Sequence, residues 1–255
     1  MMTEKVKVSA VSYINTWPFM YGIKRAGELL SISDIQTDVP SKCAQNLIDN
    51  RVDVGLVPVA ALLHIPDYQI VADYCIGSVG AVTSVFIFSK KPIGQIETLR
   101  LDSQSRTSNN LARVLLQNYW KRPVSITESE EADAYVLIGD RTFGMVGKEP
   151  YAYDLGESWT KFTGLPFAFA VWASNKPVSE EFKQLLNEAL KWGLDHRADF
   201  MDRLPEVENF DVREYLMKSI DYTLDDKKKE AISRFHQYIR ELEPIVYDQA
   251  LSSSR

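Results

Sequence analysis

Val6-Lys7-Val8-Ser9-Ala10-Val11-Ser12-Tyr13-Ile14-Asn15-Thr16-Trp17-Pro18 stands near the start of the chain. Val6–Val11 alternates apolar and polar residues, the period of a strand with one covered face. Ser12–Thr16 is a short polar break. Pro18 suits the first turn of a helix, which the pattern extends to Leu30. Working outward, Ile35–Val39 predicts a second short strand, and Ser41, after Pro40, stands where it would cap a helix reaching Asn50. Val52–Val57 predicts a third strand, Ala60–Leu63 a helical piece and Tyr68–Tyr74 another strand. That strand–helix–strand rhythm specifies an α/β protein with a largely parallel sheet.

The rhythm continues. Val82–Ser89 predicts a strand, Lys90–Gly94 a break and Leu99–Asp102 a short strand. Thr107–Trp120 predicts a helix with Leu111, Val114, Leu115 and Trp120 on one face. Ala134–Ile138 predicts a buried strand, and Thr163–Ala173 is a Phe-rich apolar run read as a crossover strand. Helix dominates from Ser179 onward, over 179–196, 212–219 and 227–242. Two α/β lobes joined by two crossings fit this order. The expected division is 1–88 for the first lobe, 89–173 for the second, and 174–255 for a helical return to the first. Ligands of such sheets sit beyond the carboxyl ends of strands, at helix N-termini.

The 255 residues carry 45% hydrophobic and 25% charged side chains, ordinary for a globular chain with a sizeable core. A net charge of -6 argues against nucleic acid as partner, because phosphate binding needs a basic face. An anionic ligand must therefore be held by local groups. Cys43 and Cys75 sit among apolar or helical neighbours and read as buried free thiols rather than a disulfide. His64, His196 and His236 are dispersed, so no zinc site is expected. Met1–Lys5 is polar, and no apolar leader core or membrane-length stretch occurs. The expected location is the cytoplasm, with no membrane contact.

Four polar segments follow strands. In the first, Asn15 either caps the following helix or aims its amide at a ligand. In the second, Gly77–Ser84, Ser84 lies in an apolar strand where its hydroxyl needs a partner. The third, Asp102–Ser108, sets Ser105, Thr107 and Ser108 at a helix start, as a carboxylate cradle or as ordinary caps. Arg106 there reads as solvated or ligand-directed. In the fourth, Thr163 stands at a bend made by Gly164 and Pro166. Asp140 ends a strand and faces a cleft or caps a turn. Phosphate loops (GxGxxG, GxxxxGK[ST]), GxSxG elbows and HExxH are absent, which removes most NTPase, dinucleotide and common hydrolase readings.

Taken together and in order, these segments resemble the chorismate dehydratases of the futalosine route to menaquinone. Val11–Asn15 with Pro18, Gly80–Val85, Ser105–Ser108, Ile138–Asp140, Thr163–Trp172 and Ile220–Tyr222 are similar to that family's landmarks over about residues 6–240. Ala81 replaces the family's usual proline. The resemblance implies a two-lobed, type 2 periplasmic-binding-protein-like fold with the ligand cleft between lobes. It implies a hydro-lyase converting chorismate to 3-[(1-carboxyvinyl)oxy]benzoate, with no metal or organic cofactor, acting as monomer or homodimer. It places Asn15 and Ser84 in the catalytic site, and Ser41, Ser105, Thr107, Ser108 and Thr163 around the substrate. The base stays open: the substrate's own enolpyruvyl carboxylate, or Asp140 or Asp154. Two rivals share the fold. One is the sister enzyme making 1,4-dihydroxy-6-naphthoate, disfavoured because no His falls between His64 and His196. The other is a non-catalytic small-carboxylate-binding protein.

Overall fold

The computed structural model describes residues 5–245. The polar start read at Met1–Lys5 therefore lies outside the described residues, Lys5 excepted. In chain order the elements are β1 Val6–Val11, α1 Trp17–Ile23, α2 Gly27–Ile32, β2 Ser33–Asp38, α3 Pro40–Ile48, β3 Val54–Pro58, β4 Gln69–Ser78 and β5 Val85–Ser89. Then follow β6 Thr98–Arg100, α4 Arg106–Asn118, β7 Ser125–Thr127, β8 Ala134–Ile138, β9 Tyr151–Asp154, α5 Leu155–Thr163 and β10 Phe167–Ser174. The chain ends with α6 Glu180–Asp195, α7 Val212–Glu214, β11 Asp221–Thr223 and α8 Asp226–Arg240. Among the described residues no helix is long and apolar enough to cross a membrane.

The strands form two sheets, one of six strands in the order β11-β4-β10-β3-β1-β2 and one of five in the order β7-β6-β8-β5-β9. In the first, β1 runs parallel to β2 and β3. Strand β10 is antiparallel to β3 and β4, so the sheet is mixed rather than largely parallel. The reason is geometric. Chain returning from the second sheet arrives where β3 and β4 end, pairing Ala170 with Pro58 and Phe167 with Ser78, and must run backwards. Strand β5 enters the second sheet in the same way, with Val85 opposite Ile138 at the end of β8. Both sheets thus turn the ends of parallel strands and the starts of the two crossing strands toward one cleft.

Strand pairing also moves the expected division. A boundary after residue 88 falls inside β5, which pairs wholly with the second sheet, and one after 173 falls at the end of β10, which pairs wholly with the first. The crossings are 79–84 and 164–166.

Local chemistry explains the other departures. The helix expected over 18–30 breaks at Lys24–Ala26. Pro40 occupies the first turn of α3 and Val39 its cap position, with no side-chain cap, so Ser41 lies inside the helix and does not cap it. Asp154 accepts a hydrogen bond from Glu157 N and starts α5, where no helix was expected; Gly164, at φ 74°, ends it. Ser179 caps α6 through Phe182 N. The core beneath the cleft is aromatic: Phe167 lies 5.1 Å from both Trp159 and Phe235. Both cysteines are buried and free.

Candidate active site

The residues at the strand ends enclose a cavity of about 50 Å³. Val11, Tyr13, Asn15, Pro58 and Phe169 wall it from the first sheet, and Ser84, Ser105, Thr107, Ser108 and Gly139 from the second. None of its lining residues is charged, and none is a histidine. One water needs roughly 10–15 Å³ of such space, so the cavity as it stands is too small for a ring carrying two carboxylates. Contacts across the cleft hold the closure. Ile14 N donates to both oxygens of Asp140 at 3.1 Å. Ala60 N donates to Thr107 Oγ1 at 3.1 Å, and Arg106 donates to Gln45 Oε1 at 2.8 Å. The Tyr13 hydroxyl donates to Gln104.

Asn15 belongs to a 3-10 turn, Ile14–Thr16, and does not cap α1, whose cap position is Thr16. Its side chain is buried and its Oδ1 has no hydrogen-bond partner. Its main-chain oxygen is pinned by the Tyr222 hydroxyl at 2.9 Å. Ser84, 1% exposed, accepts from the Tyr215 hydroxyl at 2.8 Å through its Oγ. Its carbonyl accepts from Gly139 N at 2.8 Å. Before it, Thr83 holds φ 58°, a left-handed conformation that β-branched residues avoid. Asp154 sustains it by accepting from Thr83 N at 2.7 Å and Val82 N at 3.0 Å.

Ser105 caps α4 by accepting from Ser108 N at 3.0 Å, so the capping reading holds at the cavity wall itself. The hydroxyl hydrogens of Ser105 and Thr107 are left for donation, at the positive end of a thirteen-residue helix. Ser41 and Thr163 do not line the cavity, although Pro40 does. Thr163 ends α5, donating to Trp159 O at 2.9 Å and accepting from Leu165 N at 3.2 Å. Neither Asp140 nor Asp154 lines the cavity. Burial raises both pKa values, opposed by main-chain N–H groups: that of Ile14 for Asp140 and those of Glu157, Thr83 and Val82 for Asp154. Sequence reading gave no site role to Tyr215, nor to Tyr222 beyond its place in the Ile220–Tyr222 landmark; each reaches the site from the C-terminal third.

A wider groove of about 610 Å³ runs beside α4, where Arg100, Arg106, Arg113 and Arg141 line it. These guanidiniums are engaged: Arg141 pairs with buried Asp102 at 2.7 Å, and Arg100 with Glu130 at 2.9 Å. Among the described residues no group of three or more His, Cys, Asp or Glu is placed to hold a metal ion.

Solved structures with this architecture define its class. A protein of Archaeoglobus fulgidus matches with a TM-score of 0.73 at 14% identity, covering 94% of this chain and 98% of that one. The periplasmic aliphatic sulphonate binding protein of Escherichia coli matches at 0.61 and 12%, covering 94% and 87%. A Candida albicans protein described as having the generic periplasmic binding protein fold matches at 0.61 and 9%, covering 95% and 92%. The chain therefore has a two-lobed, periplasmic-binding-protein-like fold. Residues 6–241 match the menaquinone biosynthesis family, and the chain belongs to it. Chorismate dehydratase of Thermus thermophilus is 29% identical over 182 residues, 61% of this chain and 67% of that one. Chorismate dehydratase of Campylobacter jejuni is 25% identical over 232 residues, 88% of this chain and 93% of that one.

Proposed function

We propose that this chain is a chorismate dehydratase, a hydro-lyase that takes water from chorismate to give 3-[(1-carboxyvinyl)oxy]benzoate. The observation that carries the reading is the uncharged, hydroxyl-lined cavity at the start of α4, faced by Asn15 and Ser84. Family membership and the two dehydratase relatives support it. The substrate's C3 hydrogen is acidified by conjugation through C1=C2 to the ring carboxylate. Removing it pushes charge into that carboxylate. Hydroxyls of Ser105, Thr107 and Ser108, with the helix start, stabilise the developing dienolate there. Loss of the C4 hydroxyl then aromatises the ring.

The base is the substrate's enolpyruvyl carboxylate. No charged residue lines the cavity, and the carboxylates of Asp140 and Asp154 accept main-chain N–H groups. A carboxylate held among neutral dipoles keeps more of its basicity than one paired with a cation. Asn15 and Ser84 orient the reacting ring and assist the departing oxygen. The elimination calls for neither metal nor organic cofactor, and the enzyme works in the cytoplasm as a monomer or homodimer.

The test is incubation of purified protein with chorismate, with and without EDTA, followed by chromatography and mass. Enzyme-dependent loss of one water to the aromatic enolpyruvyl ether, unaffected by EDTA, supports the reading. Chorismate recovered unchanged overturns it and turns the assay to the cyclic futalosine substrate of the sister enzyme. If that also survives, calorimetry against small carboxylates tests a binding protein.

A further inference from the structure

Tyr215 begins a π-helical turn, Tyr215–Ser219, of the kind that recurs at functional sites. It is 1% exposed and packs against Phe143, ring centroids 5.2 Å apart, and Phe210 at 5.6 Å. From a position 131 residues away, its hydroxyl donates to Ser84 Oγ at 2.8 Å, the only tyrosine hydroxyl among the described bonds to do so. The Asn15 side chain lies close enough to influence this phenol. A phenol has one hydrogen to give. With that hydrogen on Ser84, the phenol can only accept on the side facing Asn15, which favours the amide nitrogen there rather than Oδ1. That orientation leaves Asn15 Oδ1 over, and Oδ1 is the buried atom without a partner. Ser84, having accepted from Tyr215, keeps its own O–H to donate. Both side chains line the cavity.

We propose that Tyr215 is a positioning residue that fixes the polarity of the Asn15–Ser84 pair, so that Asn15 presents an acceptor and Ser84 a donor to one hydroxyl group of the substrate. A hydroxyl is the group that satisfies both at once, giving its hydrogen to Asn15 Oδ1 and taking the hydrogen bond of Ser84. This rests on the dehydratase reading and identifies the departing C4 hydroxyl as the group held between them. Ser84 lends a hydrogen bond and no proton; the C–O electron pair leaves with the oxygen, and the hydroxide so formed takes the C3 proton back from the enolpyruvyl carboxylate, leaving as water. Burial raises the Tyr215 pKa, with the bond to Ser84 and the nearby Asn15 side chain opposing, so the phenol stays a donor at working pH.

The test is a double-mutant cycle on kcat for chorismate with Tyr215→Phe, Ser84→Ala and the pair. Tyr215→Phe keeps the packed ring and removes the hydroxyl. It is expected to lower kcat about tenfold to a hundredfold, and to lower it much less once Ser84 is alanine. A purely structural role would not be masked in this way. If both single variants are slow and their losses multiply, the relay is overturned while Ser84 keeps its place in the site. If Ser84→Ala turns over at the wild-type rate, the reading of Ser84 and the relay fall together. Should Tyr215→Phe lose cooperative unfolding, 3-fluorotyrosine at position 215 carries the test. It keeps the ring and strengthens the donor, so kcat must shift while melting does not; an unchanged kcat overturns the proposal.

Discussion

Ile14 N–H points between the two carboxylate oxygens of Asp140, 3.1 Å from each, and so ties the loop after β1 to the turn after β8 across the cleft. The carboxylate is thereby a strut between lobes, outside the cavity it helps to close. Asp140→Asn preserves an acceptor oxygen for Ile14. Turnover of chorismate should fall by less than about tenfold, because the proton goes to the substrate. A general base is worth about a hundredfold or more. A loss of that size in steady-state kcat would return Asp140 to the role of base.

Asp154 serves the site at one remove. Its carboxylate accepts from Val82 N, Thr83 N and Glu157 N, capping α5 and holding Thr83 left-handed so that Ser84 meets the cavity. Asp154→Ala leaves three N–H groups in a buried place without their acceptor. At about 1 kcal/mol or more for each unsatisfied group, the expected cost is about 3 kcal/mol, or a Tm lower by about 6–12 °C. With Thr83 released, kcat should fall together with Tm. Calorimetry and kinetics on the same preparation decide it: a Tm within 2 °C of wild type, taken as about the scatter of such scans, would mean that the loop holds its own conformation.

The thiols give a pH test. Burial pushes Cys43 up to about 11 and Cys75 up to about 12. The thiolate is the nucleophile, so native protein at pH 8 should take up no iodoacetamide, while protein in urea should take up two per chain, one for each cysteine. Because folding favours the neutral thiols, their contribution to stability is whole below the unfolded value of about 8.5. It is lost as pH rises through the raised native values. Between pH 8 and 11 the urea midpoint of the wild type should fall further than that of Cys43→Ala/Cys75→Ala. Parallel curves would show that the thiols ionise alike in both states.

Much of this architecture is legible in local pattern. The period of Val6–Val11, the cap at Ser105 and the helix start at Ser179 are decided by neighbours within a turn, and the structure keeps them. The helix α5 carried a readable signal in Asp154 followed by Glu157, with Leu155, Trp159 and Phe162 at helical spacing, but the Phe-rich strand beyond it drew the boundary upstream to Thr163. Ser41 and Thr163 carry suitable hydroxyls but do not line the cavity, one lying inside the first turn of α3 and the other bonded to its own helix carbonyl. Tyr215 carries no local mark and Tyr222 only its place in the Ile220–Tyr222 landmark, since their partners lie 131 and 207 residues away and only the closed fold brings them to Ser84 and Asn15.

Gly139 joins the two halves of the cavity, and its missing side chain is the reason. It holds φ 63°, donates to Ser84 O at 2.8 Å, and a Cβ placed on it would lie 2.6 Å from two ring carbons of Tyr13. Gly139→Ala therefore meets two separate costs. The left-handed backbone costs about 1–2 kcal/mol for a residue with a Cβ, and the Tyr13 ring must leave its contact with Gln104. The expected result is a Tm lower by several degrees and a KM for chorismate raised about tenfold, since the displaced ring is a wall of the site. Adding Tyr13→Ala removes the collision and leaves the backbone cost. The double variant should then lose less stability than the sum of the two single variants. Strict additivity by calorimetry would show that the ring and residue 139 do not touch in solution, and that the cleft closes by another surface.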